Sequence, residues 1–257
     1  MNTILNMGKT GLKAVQRKMD ALSDNMANVY TNGYKRKDVS FQELLTNRIH
    51  ENDVILSDNV DNASINMGTK TVVSINYQQG SFIESPGQFH MAIEGDGFFG
   101  VYDEDGNLFL TRNGAFHLNP DGSVVDDDGY YLSIDYEIIP ENWGDGDITI
   151  SKDGYIIQDL EEGSQVLGRV VLYRPAVLES LIPMGEGRYL PNENVDLYNS
   201  IDDGVDFGGI KQHYLEASNV DLAKSLTDMI IAQRSYSMNI RALETTDEIM
   251  SMINNIK

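Results

Sequence analysis

The chain has no cysteine, one tryptophan, six prolines and four histidines among its 257 residues. Without cysteine there can be no disulfide framework, no thiolate metal site and no cysteine nucleophile. The histidines are widely separated and have neither of the spacings, His-x-His and His-x-x-x-His, that favour a shared metal ion; they are His50, His90, His117 and His213.

Long apolar runs are missing as well. The longest, such as Val170–Tyr173, have the length of a strand rather than of a membrane helix. Near the N-terminus, basic residues interrupt what would be the apolar core of a secretory signal peptide; they are Lys9, Lys13, Arg17 and Lys18. We therefore expect that an exported chain leaves the cell without a cleaved signal peptide and does not insert directly into a membrane.

Basic residues are few, and the charge is distributed unevenly. The chain has 19 Lys and Arg against 40 Asp and Glu, a net charge of −21. Residues 1–37 carry a net charge of +5, residues 38–219 carry −25 and residues 220–257 carry −1. The acidity of the middle disfavours nucleic acid and anionic membranes as partners. The two ends are free to pack together.

Residues 220–253 have the apolar spacing of a long helix. In steps of seven they give Leu222, Met229, Tyr236, Leu243 and Met250, with Leu226 and Ile240 between these positions. This spacing places the apolar residues on one stripe. Ser218 and Asp221 are spaced as a capping box, which predicts the start of the helix.

The N-terminus has a matching stripe. Apolar residues and one glycine recur at steps of three and four residues: Leu5, Gly8, Leu12, Val15, Met19, Leu22, Met26 and Val29. The Thr31-Asn32-Gly33 segment predicts the end of this helix, because Asn32 or Gly33 can adopt the left-handed conformation there. Gly8 and Gly11 would allow another helix to approach closely.

The period changes in the middle of the chain. From Thr69 onward apolar residues alternate, and Asp-Gly or Asn-Gly pairs, which suit tight hairpins, separate short apolar runs: Asp105-Gly106, Asn113-Gly114, Asp121-Gly122, Asp128-Gly129 and Asp153-Gly154. We predict strands at His90–Ile93, Phe98–Tyr102, Leu108–Thr111, Ala115–Leu118, Ser123–Val125, Tyr130–Ile134, Ile148–Ile150, Tyr155–Gln158 and Gln165–Tyr173. These strands form an antiparallel all-β domain.

The predicted fold class is therefore α+β, with two long terminal helices in a coiled-coil-like module and a central antiparallel all-β domain. The expected divisions are an N-terminal helix in 1–37, an extended linker region in 38–80, the β domain in 81–190, an irregular return segment in 191–212 and the C-terminal helix in 213–257.

Several features of the middle could indicate a binding or catalytic site, but each has a plainer interpretation. The acidic turns lack the spacing of an EF-hand calcium loop. Residues 95–100 (GDGFFG) lack the Gly-Lys-Ser/Thr of a phosphate loop and predict a tight turn. Trp143 stands in a polar loop, where it could stack on a ligand. Among 40 acidic residues a glycosidase-like carboxylate pair can always be found. We predict no catalytic, cofactor-binding or metal site.

Three segments resemble the bacterial flagellar rod and hook proteins. Residues 25–36 (NMANVYTNGYKR) are similar to the Asn-x-Ala-Asn-x-x-Thr-x-Gly-Phe/Tyr-Lys segment that ends the first helix of that family. Residues 216–223 (EASNVDLA) resemble its C-terminal segment, and residues 92–99 (AIEGDGFF) and 111–116 (TRNGAF) resemble its β-domain motifs. The resemblance spans nearly the whole chain and is weakest in the acidic stretch 126–147.

This resemblance implies a structural protein of the flagellar basal body, not an enzyme. Such proteins polymerise into a hollow helical shaft that transmits torque from the motor to the hook, beside other rod and hook proteins. They leave the cell through the flagellar type III export apparatus and function in the extracytoplasmic basal body, in the periplasm or cell-wall layer. By length and by its single β domain the chain is most similar to the distal rod members, with proximal rod and hook subunits as alternatives.

The stripes and the resemblance together predict an assembly interface on the two helices. Its expected residues are Leu5, Gly8, Leu12, Val15, Met19, Leu22, Met26, Asn28, Gly33, Leu222, Leu226, Met229, Tyr236, Ile240, Leu243 and Met250. Two other classes stay open, an extracellular binding module whose β domain recognises glycan or protein, and a carboxylate-based hydrolase. Neither explains two matched terminal stripes.

Overall fold

The computed structural model describes residues 2–47, 65–138, 143, 146–160, 163–192, 194–201 and 204–255, and the side chains of 2–7, 42–47, 65–70, 250 and 253–255 are not described. The chain divides into two compact units. The terminal unit comprises Met1–Ala27, Lys37–Asn76 and Asp221–Lys257, and the β unit comprises Asn28–Arg36 and Tyr77–Val220.

The terminal unit contains two helices and a hairpin. Its elements are α1 (Asn2–Ala27), β1 (Lys37–Asn47), β2 (Ile65–Ile75) and α2 (Leu222–Asn255). Helix α1 packs against α2 and against both strands. Strands β1 and β2 pair in antiparallel register, from Lys37 opposite Ile75 to Asn47 opposite Ile65. In the described part of the chain neither helix is long and apolar enough to cross a membrane.

The β unit consists of short antiparallel strands. They are β3 (Phe82–Glu84), β4 (Met91–Glu94), β5 (Phe98–Tyr102), β6 (Leu108–Thr111), β7 (Phe116–Leu118), β8 (Val124–Asp126), β9 (Tyr131–Leu132), β10 (Ile134–Tyr136), β11 (Asp147–Ile150), β12 (Tyr155–Leu160), β13 (Gly163–Val170), β14 (Leu172–Pro175), β15 (Ile182–Gly185), β16 (Arg188–Leu190), β17 (Leu197–Asn199), β18 (Gly209–Gln212) and β19 (Tyr214–Glu216). A short 3-10 turn, Leu178–Ser180, follows β14.

These strands form two larger sheets and two isolated pairs. The larger sheet has the order β15-β16-β6-β5-β9-β8-β7, with β14 paired to β5 and β17 paired to β14. The other has the order β10-β13-β12-β11. Strand β18 pairs with β4, and β19 pairs with β3, so the segment before α2 is tied to the beginning of the unit.

An apolar core lies within the β unit. Its largest fully buried members are Phe99 and Phe116, whose rings meet edge to face at 5.4 Å. Trp143 packs against this core, with its ring stacked on Phe89 at 6.2 Å and its indole N–H donated to the carbonyl oxygen of Ile138 at 3.1 Å. The tryptophan therefore has a packing role in the structure.

Four of the five predicted glycine turns have the expected backbone. Gly106, Gly122, Gly129 and Gly154 have positive φ. Gly114 does not; its role is close approach, because a Cβ there would lie 1.6 Å from the carbonyl oxygen of Met91. Spacing alone could not separate these two reasons for glycine.

The boundaries of the elements differ from the expected ones. The expected linker at 38–80 contains β1 and β2, and the part of the expected loop at 48–64 lies outside the described residues. The return segment at 191–212 contains β17 and β18. In the linker β1 and β2 supply hydrogen bonds to each other, and in the return segment β14 and β4 supply them to β17 and β18 from distant parts of the chain.

Candidate assembly interface

Helices α1 and α2 pack closely at a glycine. A methyl group added to Gly8 would lie 2.3 Å from a methyl carbon of Leu243. A methyl group added to Gly11 would lie 4.0 Å from the amide nitrogen of Asn239, which precedes Leu243 in the chain. A later residue of α1 therefore contacts an earlier residue of α2, so the two helices are antiparallel. Gly8 allows the close approach that the sequence predicted.

The stripe predicted on α1 is covered within the terminal unit. Leu22 is buried, and the half-buried members are Gly8, Leu12, Val15, Met19 and Met26. Leu5 lies outside the described side chains, and Val29 lies beyond the end of the helix. The periodicity therefore identified the packed face of α1.

The covered face of α2 overlaps the predicted stripe in part, since it includes Met229, Tyr236 and Leu243 but neither Leu222 nor Leu226. Seven of its buried or half-buried residues recur at steps of four and three: Ser225, Met229, Ala232, Tyr236, Asn239, Leu243 and Thr246. Ile240, beside this row, is half-buried, and the Met250 side chain lies outside the described residues. Ser225 and Ala232 are only 4% and 2% exposed. Small and polar side chains occupy some of the contact positions, so a search for the spacing of large apolar residues does not find them.

A second apolar surface of α2 is exposed in the chain. Leu222 and Leu226, both assigned from sequence to the contact stripe, are 38% and 46% exposed. With Ile230 they form a stripe at steps of four residues, and Ile231, Met238 and Ile249 form another on the far side of the helix. We call these the 222–230 stripe and the 231–249 stripe.

The outer face of α1 is polar. Its exposed residues include Lys9, Lys13, Gln16 and Asp20, and its described side chains include no large exposed apolar residue. A helix that is apolar on all sides is normally surrounded by other elements. Helix α2 therefore has more apolar surface than α1 covers, and a contiguous exposed apolar surface is typical of an interaction site.

The hairpin of β1 and β2 lies on a further face of α1. Arg17 donates a hydrogen bond to Thr71 Oγ1 at 2.7 Å, and the Lys18 ammonium lies 5.9 Å from the ring centre of Phe41. Asn25, which is 1% exposed, donates to the carbonyl oxygen of Lys37 and accepts from its N–H, both at 2.8 Å. The first residue of β1 is thereby fixed beside the last turn of α1.

Helix α2 begins three positions later than the capping box predicted, because its N-cap is residue 221 and not residue 218. The Asp221 carboxylate accepts the N–H of Lys224 at 3.0 Å, so Asp221 is the N-cap and Leu222 the first helical residue. Ser218 accepts only from the N–H of Val220, at 3.4 Å.

Two segments in the β unit carry the chain toward the helices. We call residues 28–36 the N-terminal connector and residues 213–220 the C-terminal connector. They lie side by side: the N–H of Gly33 donates to the carbonyl oxygen of Glu216 at 2.7 Å, and the N–H of Arg36 donates to Asn219 Oδ1 at 2.7 Å. Asn28, a predicted interface residue, is half-buried here and accepts a hydrogen bond from Thr31 Oγ1 at 3.2 Å.

A buried carboxylate joins these connectors to the sheets. Glu216 is fully buried; its Oε1 accepts from Lys35 Nζ at 2.5 Å, and its Oε2 accepts from an Arg112 amino group at 3.2 Å. The N–H of Gly80 also donates to Oε1, at 2.9 Å. We call Lys35, Arg112 and Glu216 the Glu216 cluster. Burial lowers the pKa of the Lys35 amine, and the neighbouring carboxylate opposes this shift only in part.

Gly33 is required beside this cluster for two reasons. Its φ is +69°, as expected for the residue that ends the α1 segment, and a Cβ there would lie 2.3 Å from the carbonyl carbon of Arg112. The glycine lets the N-terminal connector lie directly on the backbone of the segment after β6. Sequence spacing could not identify this cluster, because its three charges are far apart in the chain.

The described residues contain no group of three or more His, Asp, Glu or Cys side chains arranged to hold a metal ion. Gly95 and Gly97 have φ of +114° and +132°, so the glycine-rich segment before β5 is the tight turn that the sequence predicted. The features that bear on function in the described residues are the packed helix pair, the exposed apolar stripes of α2 and the two connectors.

These features define a class of protein: a structural subunit whose terminal helices offer apolar surface to other chains. Comparisons with known proteins show to which family of structural proteins the chain is similar. Residues 5–35 match the family model described as flagella basal body rod protein, residues 92–158 match the flagellar hook protein FlgE/F/G D1 domain, and residues 211–256 match the flagellar basal body rod FlgEFG protein C-terminal.

Relatives of similar length support the same assignment. The chain is 33% identical to the flagellar basal-body rod protein FlgG of Agrobacterium fabrum, over 97% of each chain. It is 30% identical to FlgG of Bacillus subtilis over 98% of each, and 28% identical to FlgF of Caulobacter vibrioides over 97% of this chain and 95% of the relative. The chain belongs to the flagellar basal-body rod protein family, whose members are structural and not enzymes.

The first matched segment includes residues 28–35 of the N-terminal connector, and the third includes the whole C-terminal connector. Each matched segment contains one member of the Glu216 cluster: Lys35 in the first, Arg112 in the second and Glu216 in the third. Membership of a structural family removes the carboxylate-based hydrolase from the alternatives.

Proposed function

We propose that this chain is a subunit of the distal part of the flagellar rod, where copies of it polymerise into a hollow helical shaft that transmits torque from the motor to the hook. FlgG proteins of three bacteria are 30–33% identical to it over nearly the whole chain. The structural observation that carries the proposal is the apolar surface of α2 that α1 leaves uncovered.

The two stripes of α2 suit an open polymer. The 222–230 stripe and the 231–249 stripe lie on different sides of the helix, so one copy can contact two neighbours with different surfaces. Contacts of this heterologous kind produce a helical filament where the rotation between copies does not close into a ring. Apolar surface buried there stabilises the polymer by about 25 cal/mol per Å².

Within this proposal the terminal helices form a coiled-coil-like module that assembles with the same module of neighbouring copies. The residues predicted from sequence then divide into two groups. Leu12, Val15, Met19 and Leu22 hold the helix pair together, and Leu222 and Leu226 contact the next copy.

The route and place of assembly follow from the same proposal. The chain leaves the cell through the flagellar type III export apparatus and assembles outside the cytoplasm, in the periplasm or cell-wall layer. Other rod and hook proteins are its neighbours at the two ends of the polymer. A chain whose terminal surfaces stay exposed until they meet such neighbours is suited to addition at a growing end.

The Leu226→Asp variant tests the proposal. Because Leu226 is 46% exposed, the change should leave helix content and melting temperature within the small range of surface substitutions, yet abolish sedimentable polymer. The reason is that an unpaired carboxylate buried between copies costs several kcal/mol. Swimming of a strain that carries only this variant should be lost.

Ser23→Asp on the exposed polar face of α1 is the matched control, since it adds the same charge to the same unit. It should polymerise and support swimming. Polymerisation of Leu226→Asp at the level of the unmodified chain would show that the 222–230 stripe is not part of the interface. The main structural support for the proposed shaft would then be lost.

A further inference from the structure

The N-terminal connector is held by a charge that lies far away in the chain. Lys35 and Glu216 are 181 positions apart, yet their side chains are 1% and 0% exposed and in direct contact. Lys35 also donates to the carbonyl oxygen of Gln78 at 2.9 Å. Arg112, on the opposite side of the carboxylate, is 6% exposed.

We infer that Glu216 is a positioning residue that latches the N-terminal connector, residues 28–36, to the rest of the β unit through the C-terminal connector. This role belongs to the single chain and goes beyond the polymer proposed above. The C-terminal connector is itself seated by pairing of β19 with β3, in which Glu216 lies opposite Phe82.

The balance of charge explains why this carboxylate controls the connector. The cluster buries two cations around one anion. Removing one partner of a buried ion pair leaves an uncompensated buried charge and is strongly destabilising. Without the Glu216 carboxylate, both Lys35 and Arg112 would be buried without their counter-ion.

The two cations are not equally able to leave. Arg112 donates to the carbonyl oxygens of Ile93 at 3.4 Å and Gly95 at 2.7 Å, and these bonds remain when Glu216 is neutralised. Lys35 keeps only its bond to Gln78 among the described contacts of its ammonium group. The strain should therefore be relieved by release of Lys35, which takes the N-terminal connector with it.

Trypsin gives a direct measurement, because the connector ends in Lys35-Arg36 and Lys37 follows. In the full-length chain, the Glu216→Gln variant should be cut after residues 35–37 on the order of 100-fold faster than the unmodified chain, as cleavage follows the population of the open form. Sites within the sheets should stay protected. Mass spectrometry of the fragments identifies the cut.

A second substitution separates charge from shape. Lys35→Met in the Glu216→Gln background removes the cation that must escape and fills its space with an apolar side chain. Cleavage after Arg36 and Lys37 should then fall back by at least about tenfold. The matched control is Glu94→Gln, which neutralises an exposed carboxylate that lies 3.1 Å from Lys211; it should leave cleavage at 35–37 unchanged.

Three outcomes would overturn the inference: an unchanged rate of cleavage at 35–37 in Glu216→Gln, cleavage that rises equally at all sites of the β unit, or a double variant as sensitive as the single one. Should Glu216→Gln not fold at all, a folded and protected double variant still supports the latch, and an unfolded one contradicts it.

Discussion

At the scale of single residues, glycine has two separable uses in this chain. Gly106 has a φ of +83° and open space around its α-carbon, so only its backbone conformation requires glycine. Gly33 has a similar φ, but its α-carbon also lies against the backbone of Arg112. A flexible side chain moves away from an added methyl group more easily than a backbone segment that directly follows a sheet strand.

The two glycines therefore predict different losses for the same substitution. Gly106→Ala should destabilise the β unit by about 1 kcal/mol, the usual strain of a left-handed residue. Gly33→Ala adds a backbone clash and should exceed about 3 kcal/mol, or leave the N-terminal connector undocked. Urea unfolding followed by near-ultraviolet circular dichroism measures both. Equal losses would show that the contact with Arg112 is unimportant.

Sequence and structure contribute differently at this scale. The left-handed Gly33 was expected from the Asn-Gly pair, and the structure confirms it as one of the two candidate positions. The contact of Glu216 with Lys35 was not expected, because charge pairing between distant segments leaves no periodic signal. The only hint was that all three charges lie in or beside segments that resemble one family.

At the scale of elements, the two helices differ in what they leave uncovered. Helix α1 has one covered apolar face and a polar outer face, which is the ordinary pattern of a surface helix. Helix α2 has apolar residues around most of its circumference, and α1 covers only the row that begins at Ser225. Its packing row could not be read from hydrophobicity, because every side of the helix offers candidates.

The contact between the helices gives a paired prediction. Gly8→Ala places a methyl group against Leu243 and should lower the stability of the terminal unit by about 1 kcal/mol, since overpacking exceeds the gain in helix propensity. Gly11→Ala has room at 4.0 Å and should raise stability by up to about 1 kcal/mol. Thermal melting followed at the helix band of circular dichroism compares them. A gain for both would mean that the helices are farther apart than the structure shows.

The start of α2 gives a second paired prediction. Asp221→Ala removes the acceptor for the N–H of Lys224 and should cost about 1 kcal/mol of helix stability. Ser218→Ala should cost a few tenths at most, because the serine lies outside the helix and has only a long contact. Amide hydrogen exchange of residues 222–226 reports the difference. Faster exchange in Ser218→Ala than in Asp221→Ala would show that Ser218 is the N-cap, as the capping box predicted.

At the scale of the whole molecule, burial of tyrosine should set a limit on alkaline stability. Burial raises the pKa of Tyr77 to about 12 and that of Tyr173 to about 12, and it raises the pKa of Tyr189 as well. An unfolded tyrosine titrates near 10. Between these values the folded chain binds more protons than the unfolded chain, so the free energy of unfolding falls as pH rises.

The expected result is a melting temperature that declines from about pH 10 to about pH 12. Tyr77→Phe should make the decline shallower, because it removes one group whose pKa differs between the two states. Ultraviolet absorbance of tyrosinate should show part of the phenols titrating late in the folded chain and early in denaturant. An identical slope in Tyr77→Phe would contradict the burial effect.

The sequence by itself determined the α+β class, the two terminal helices, the covered face of α1 and the strands β5 and β6 to the residue, because periodicity and turn chemistry act over neighbouring positions. Tertiary structure alone decided which side of α2 is covered, the hairpin of β1 and β2, and the Glu216 cluster. Each of these depends on a partner segment from elsewhere in the chain. The sequence of one segment does not identify the distant segment that will pack against it.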